Sequence, residues 1–569
     1  MASFSASTAR KDAVLARRQI EGLIAEGRSI FIVDGKVFKA DAWLDFHPGG
    51  PKAISHMVGR DATDEVKALH SPEALARMSN YQIGRIEGRW TNFLPPIQGG
   101  KFRVYLDPET TDALWAGKNL EQDSSSEGTS TEPSPIFEPA DGASGLRQRH
   151  LGDTTRTRAS STTSISSVEL SEVGSPTKVS PMDRKTQEEI ELDLSRYPSL
   201  DAKVQDEIVQ KYRLLNERIR AEGLYQCNYS AYAYELCRYT LLFSLFLVFL
   251  RRGWYCTSAV FLGMFWHQLV FTAHDAGHMG ITHDFTKDTI IGIVVADFIG
   301  GLSLGWWKRS HNVHHIVTNS PEHDPDIELM PFFALSHRFF ESLNSTYYDF
   351  NMTYDAAAKF LVQYQSYLYY PILCLGRFNL YRLSWLYLFG GQAIRKGPAW
   401  WTRWFEIAGQ LFFWSWFGYG VLYCSIPTWT ARVAFVLISH IVTAPLHVQI
   451  TLSHYAMSTA DLGTHESFPQ KMLRTTMDVE CPQWLDFFHG GLQFQAIHHL
   501  YPRIPRHNLR RTQKLVQQFC DEVSIPYALY GFVEGNKEVI GRLGEVTRQA
   551  AILAECQRAI VQSGDFGMH

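Results

Sequence analysis

The second half of this chain carries apolar stretches close to the length that crosses a bilayer, and that restricts its fold more than any other feature. One pair lies at 236–250, LCRYTLLFSLFLVFL, and 257–273, TSAVFLGMFWHQLVFTA, separated by RRGWYC. A second pair lies at 408–425 and at 431–452, the latter reading ARVAFVLISHIVTAPLHVQITL. Each reaches spanning length with its aromatic flanks, because Trp and Tyr settle at the membrane interface. Within hydrocarbon the backbone has no water to bond, so such stretches must be helical. Mean hydropathy over the whole chain is slightly negative only because these runs are averaged with polar regions.

Those polar regions occupy the first half. A chain of 569 residues has room for several domains. Residues 1–17 read as an N-terminal tail, and MASFSASTAR has no apolar core of a secretory signal, which keeps the start of the chain cytosolic. Residues 18–95 read as a small α+β domain. FIVDGKVF gives two strands joined by a D-G turn, and Ser71 with Pro72 opens a helix. From 105 to 190 the chain is rich in Ser, Thr, Pro and charge, and such a stretch cannot bury enough surface to offset its ordering entropy. It reads as a disordered tether. A helical cytosolic lead-in is expected at 191–235, an all-α membrane domain with about four spans and a cytosolic cap at 236–535, and a C-terminal tail at 536–569. The net charge of −4 gives no reason to expect a nucleic-acid partner, and eight scattered Cys without a C-x-x-C pair read as reduced thiols.

Histidine carries the chemistry. Of 22 His, seven fall in three tight clusters: His274 and His278 in HDAGH, His311, His314 and His315 in HNVHH, and His498 and His499 in QAIHH. Spacings of three and four place imidazoles on one face of a helix, one turn apart. Convergent neutral imidazoles hold iron, copper or zinc. One cluster alone could be solvated surface; three, each beside an apolar stretch, point to a metal site. All must lie on one side of the bilayer to share it. The stretch 289–307, TIIGIVVADFIGGLSLGWW, therefore reads as an interfacial or re-entrant helix, because a crossing there would carry His311–His315 to the far side. This topology leaves Arg251 and Arg252 lumenal, against the positive-inside tendency.

A second signal is HPGG at 47–50, where Pro and Gly make a rigid turn that a flat cofactor can approach closely. His47 there and His70 in ALHSPEAL could close on opposite faces of a porphyrin, giving a six-coordinate haem suited to one-electron transfer. The alternative is a turn histidine and a surface one.

HPGG, the downstream His70 and the flanking VFKADAWLDF and NYQIGRI resemble the cytochrome b5 family over residues 20–95, which implies haem b. The three histidine boxes resemble the membrane fatty-acyl and sphingolipid desaturases over roughly 230–530. In the front-end branch of that family Gln replaces the first His of the third box, as Gln495 does here. The resemblance implies two non-haem irons held by the seven box histidines, O2 as co-substrate, an NADH-cytochrome b5 reductase as upstream partner, and a multi-pass endoplasmic reticulum protein with haem domain and active site cytosolic. DFFHGGLQFQAIHHLYPRIPRHNL and the Ser-rich insertion look most like fungal Δ8 sphingolipid desaturases, implying desaturation of the long-chain base of ceramide or glucosylceramide. A front-end fatty-acyl desaturase, a b5-fused lipid hydroxylase and an electron carrier with an inactive membrane domain are the competing readings. His454 in LSHY is a further candidate ligand or an interfacial histidine, and Gln495 could ligate or only hydrogen-bond. Asp324, Asp326 and His489 are candidates to orient ligand imidazoles, or loop-surface residues.

Overall fold

A computed structural model describes residues 11–105, 138–139 and 181–563. The expected tether therefore lies outside the described residues over most of its length, as does most of the N-terminal tail. The chain forms two compact units: one takes in residues up to Leu44, Pro51–Ser180 and Asp461–His465, the other Asp45–Gly50, Pro181–Ala460 and Glu466–His569.

The first unit is α+β. Strands β1 (Ile30–Val33) and β2 (Lys36–Lys39) form an antiparallel hairpin, and β3 (Gln82–Arg85) pairs antiparallel with β2. The turn residues Asp34 and Gly35 have φ of 49° and 70°. Two successive positive φ values are what a tight hairpin of this hand demands, which explains D-G there. Helices α1 (Arg17–Ala25) and α2 (Thr63–Leu69) pack on the sheet, and α3 (Pro72–Met78) follows α2. The Ala74 amide donates to Ser71 Oγ at 3.3 Å, so the expected cap forms. Ile20, Ile24, Ile30, Ile32, Val37 and Phe93 make the core.

The second unit is helical: α4 (Pro181–Arg196), α5 (Ala202–Ala221), α6 (Tyr229–Arg251), α7 (Tyr255–Gly277), α8 (Phe285–Ile293), α9 (Leu304–Val317), α10 (Thr402–Phe413), α11 (Trp429–Ile441), α12 (Ala444–Tyr455), α13 (Gln495–Leu500), α14 (Leu509–Val523) and α15 (Phe532–Ser563). Among the described residues, α6, α7 and the run Trp429–Tyr455 are each long and apolar enough to cross a membrane. Their shared core holds Phe246, Leu262, Trp266, Phe413 and Phe435. Leu236, Leu241 and Val248 of α6 remain exposed, a surface suited to lipid.

The expected span at 408–425 takes the form of α10 continued by wide turns over Trp414–Ser425 and is not among those three. Its Trp, Tyr, Gly and Ser dilute its hydropathy. The stretch 289–307 is not one straight helix. Phe285–Ile299 and Leu304–Val317 meet at a bend of 116°. Gly301, at φ +71°, sits in the bend, and a Cβ there would lie 2.4 Å from the Phe413 ring.

Three boundaries differ from expectation. Residues 181–190, assigned to the tether, begin α4, and Arg474 reaches its Asp193 at 2.8 Å while also bonding Glu466 at 2.7 Å. Such a buried pairing fixes a polar helix that periodicity alone would leave loose. Helix α6 begins at Tyr229, inside the expected lead-in. Residues 536–563 belong to the 32-residue α15, not to a tail, and Val539, Leu543 and Val546 are fully buried.

Candidate metal centre and haem ligands

Each histidine box is carried by a helix end. His274 lies in the last turn of α7 and His278 is its C-cap. Box two occupies the last two turns of α9, whose first turn is held by Ser303: the Trp306 amide donates to its Oγ at 3.0 Å. Box three lies on the short α13, reached through Gly490 and Gly491 at φ of 59° and 94°. A six-residue helix has little stability of its own. Here Asp478 accepts from the Ala496 amide at 2.8 Å, from Gln513 Nε2 at 2.8 Å and from Tyr527. Burial pushes the Asp478 carboxyl up to about 7, against those hydrogen bonds. Tyr212 of α5 donates to the Leu500 carbonyl at 2.9 Å and stacks on Tyr501, with ring centres 5.3 Å apart.

The seven box histidines converge, and His454 joins them. His274, His278, His311 and His498 form one group, and His314, His454 and His499 a second, with ring nitrogens within 4.8 Å of one another in each. His315 stands between the groups, its ring centre 4.8 Å from His278, 4.8 Å from His498 and 4.3 Å from His499. His454 approaches from the end of α12, 4.6 Å from His314 and 4.9 Å from His499 between ring centres.

The donor set fits metal. His274, His278, His498 and His499 each bury an Nε2 with no hydrogen-bond partner, and His315 and His454 bury an unpartnered Nδ1. Six orphaned nitrogens aimed into one region would be costly unless they share a cation. Burial, and then the neighbouring imidazoles, push His498 and His499 well below the ordinary histidine value, which keeps their lone pairs free for a metal. His314 Nδ1 donates to Asp324 at 2.8 Å, and Asp324 also accepts from the Asn319 amide at 2.7 Å. That bond fixes the tautomer and presents Nε2 inward. Asp326 stands farther off, 3.6 Å from His311 Nδ1 and 3.8 Å from His314 Nδ1, and groups with both as a possible ligand set. Gln495 is buried at the first position of α13, one turn before His498 and His499. His489 has Phe488 and Phe532 as ring neighbours and no cluster imidazole.

Residues beyond the motifs support the site. Arg506 bonds both Asp275, which follows His274, and Glu235 of α6, and Tyr232 donates to Asp275. These acids flank the apolar runs 236–250 and 257–273, where a carboxylate needs a named partner, and that signal was readable. His507 Nε2 lies 2.9 Å from Glu235.

The two candidate haem ligands share one local arrangement. His47 Nδ1 faces the Gly50 carbonyl at 3.1 Å, and His70 Nδ1 the Val66 carbonyl at 2.9 Å. With Nδ1 donating to the backbone, the lone pair is carried by Nε2, the form an axial ligand requires.

Comparison with known proteins agrees with both halves. Residues 252–531 match the fatty acid desaturase family, and residues 17–87 the cytochrome b5-like haem/steroid binding domain. A Delta 8-(E)-sphingolipid desaturase of Emericella nidulans is 66% identical over 559 residues, covering 98% of this chain and 99% of the relative. One of Kluyveromyces lactis is 49% identical, covering 96% and 95%. A Delta(8)-fatty-acid desaturase of Helianthus annuus is 36% identical, covering 62% and 76%.

Proposed function

The chain belongs to the membrane desaturases with a fused cytochrome b5 domain, and from that premise we propose that it introduces a Δ8 double bond into the sphingoid base of ceramide or glucosylceramide. The near full-length likeness to the fungal enzymes carries this reading, and their names further suggest the trans product. We assign one iron to His274, His278, His311 and His498 and a second to His314, His454 and His499, with His315 between them. Iron held there supplies the activation of O2 and the removal of hydrogen from an unactivated methylene. In the net reaction two hydrogens leave adjacent carbons, and O2 with those, two electrons and two protons becomes two waters. The protein's part is to hold one pair of methylenes in place and to keep the pocket dry. Trp307, stacked on His311 with ring centres 4.5 Å apart, walls one side. Haem held by His47 and His70 would pass the two electrons singly, drawn from an NADH-cytochrome b5 reductase. The haem domain and the three boxes are assigned to the cytosolic face of the endoplasmic reticulum.

Lipid mass spectrometry on a host lacking the activity, with and without the protein, tests the reading. The expected result is a new long-chain-base double bond at C8, absent with His498→Ala. Unsaturation only in fatty acids would instead favour the front-end acyl reading, which the sunflower relative's name supports. A hydroxylated lipid would overturn the desaturation itself.

A further inference from the structure

Gln449, in α12, is only 3% exposed, yet neither its Oε1 nor its Nε2 has a hydrogen-bond partner. One turn on, Ser453 is fully buried and its Oγ is likewise unpartnered. A buried polar group left unpaired is costly, and in a membrane segment it marks a functional site by default. The metal centre takes up the neighbouring His454, but nothing assigned so far uses Gln449.

Its level in the fold follows from the packing of α7 against α11, which α12 continues. A Cβ on Gly263 would meet the Ser439 carbonyl at 2.6 Å, and Trp266 packs on His440 with ring centres 5.5 Å apart. Further along both helices Phe271 packs with Leu446 and Leu492. The pairs advance together, so the helices run in the same direction. One more turn brings His274 from Phe271 and Gln449 from Leu446 to about the same level along the two helices. Gln449 thus stands at about the level of the first histidine box, one turn past the Phe271–Leu446 contact.

We infer that Gln449, assisted by Ser453, is the subsite that receives the polar backbone of the lipid, specifically its secondary amide. The inference rests on the sphingolipid reading above and deepens it. A carboxamide has two N–H donors and one acceptor, so its natural complement both donates and accepts. The amide of a ceramide does both. An acyl thioester or ester only accepts, and a hydrocarbon does neither. Reach agrees as well. The rise from Gln449 to His454 is about 7.5 Å along the helix. Six carbon–carbon bonds, from the amide-bearing C2 to C8, span about 7.6 Å when fully extended. Anchoring the amide therefore sets which methylenes meet the metal.

The test uses the full-length protein in membranes, with ceramide and N-methylated ceramide as substrates, comparing wild type with Gln449→Met. Wild type is expected to favour ceramide by about tenfold in kcat/KM, the worth of a lost amide donor in a buried site. Gln449→Met is expected to raise KM for ceramide by a similar factor, leave kcat within about twofold, erase the preference, and spread the double bond to neighbouring positions. Haem and iron content should stay unchanged. Loss of iron in this variant would overturn the inference by making Gln449 part of the metal site. So would a wild type that desaturates both ceramides equally, a result that needs no variant to fold and leaves the substrate reading intact. Desaturation of fatty acids with both ceramides untouched would overturn the substrate reading and this inference together.

Discussion

His454 enters the metal cluster from a helix that carries no histidine box. Its ring stands within 4.6 Å of His314 and 4.9 Å of His499 between centres, and its buried Nδ1 has no partner. His454→Ala is expected to remove roughly half of the bound iron from detergent-purified protein and to leave the haem absorbance unchanged. His489→Ala, changed at a ring that touches Phe488 and Phe532 instead, should keep full iron. Full iron in His454→Ala would reduce the second group to His314 and His499. The seven box histidines were legible because their spacing alone puts them on one helical face, and their convergence then follows from topology. His454 shows only a location, at the end of an apolar run, which favours a ligand only slightly over an interfacial histidine. Asp478 and Arg506 were not legible as site residues. What they do depends on partners far away in sequence, such as Ala496 and Tyr527 for one and Asp275 and Glu235 for the other.

At the scale of elements, the bend between α8 and α9 decides where box two ends up. The turn is 116°, Gly301 takes φ +71° within it, and a Cβ at that position would fall 2.4 Å from the Phe413 ring. Positive φ costs a residue with a side chain about 1–2 kcal/mol before any clash is counted. Gly301→Ala is therefore expected to lower the thermal midpoint of the detergent-solubilised protein and to lose iron, while the haem band survives. Gly418→Ala, where a Cβ would meet only Trp414 at 3.5 Å, is the matched control. Equal midpoints for the two would show that the bend yields to a methyl group. The need for box two to stay on the side of the other boxes predicts an irregular element here, but the bend itself packs on Phe413 of α10, more than a hundred residues away. The same dependence on distant partners hid α4 and α15. Both are too polar on average to announce themselves, and they are fixed by Arg474 in one case and by the Val539, Leu543 and Val546 stripe in the other. Hydropathy was also a poor guide at 408–425, because aromatic residues that suit an interface score as neutral.

At the scale of the whole molecule, the question is why one chain carries both a haem domain and a desaturase domain. In the proposed reaction desaturation consumes two electrons per O2, while a haem held by two histidines would deliver one at a time, so such a donor would visit twice in each turnover. Joining donor to acceptor in one chain makes each visit intramolecular, at an effective concentration set by the length and stiffness of the joining segment. A free donor would have to match that concentration in solution. It follows that His47→Ala, which removes a candidate axial ligand on the 47–50 turn, should abolish the haem absorbance and cut sphingoid-base desaturation at least tenfold in membranes stripped of other donors. Iron content should not change. Adding soluble cytochrome b5 should restore turnover in proportion to its concentration, reaching wild-type rates only at high concentration, because the substitute must find the acceptor by diffusion. Wild-type turnover in His47→Ala with no donor added would mean that electrons reach the metal centre by another route, and the fused domain would then need a different explanation.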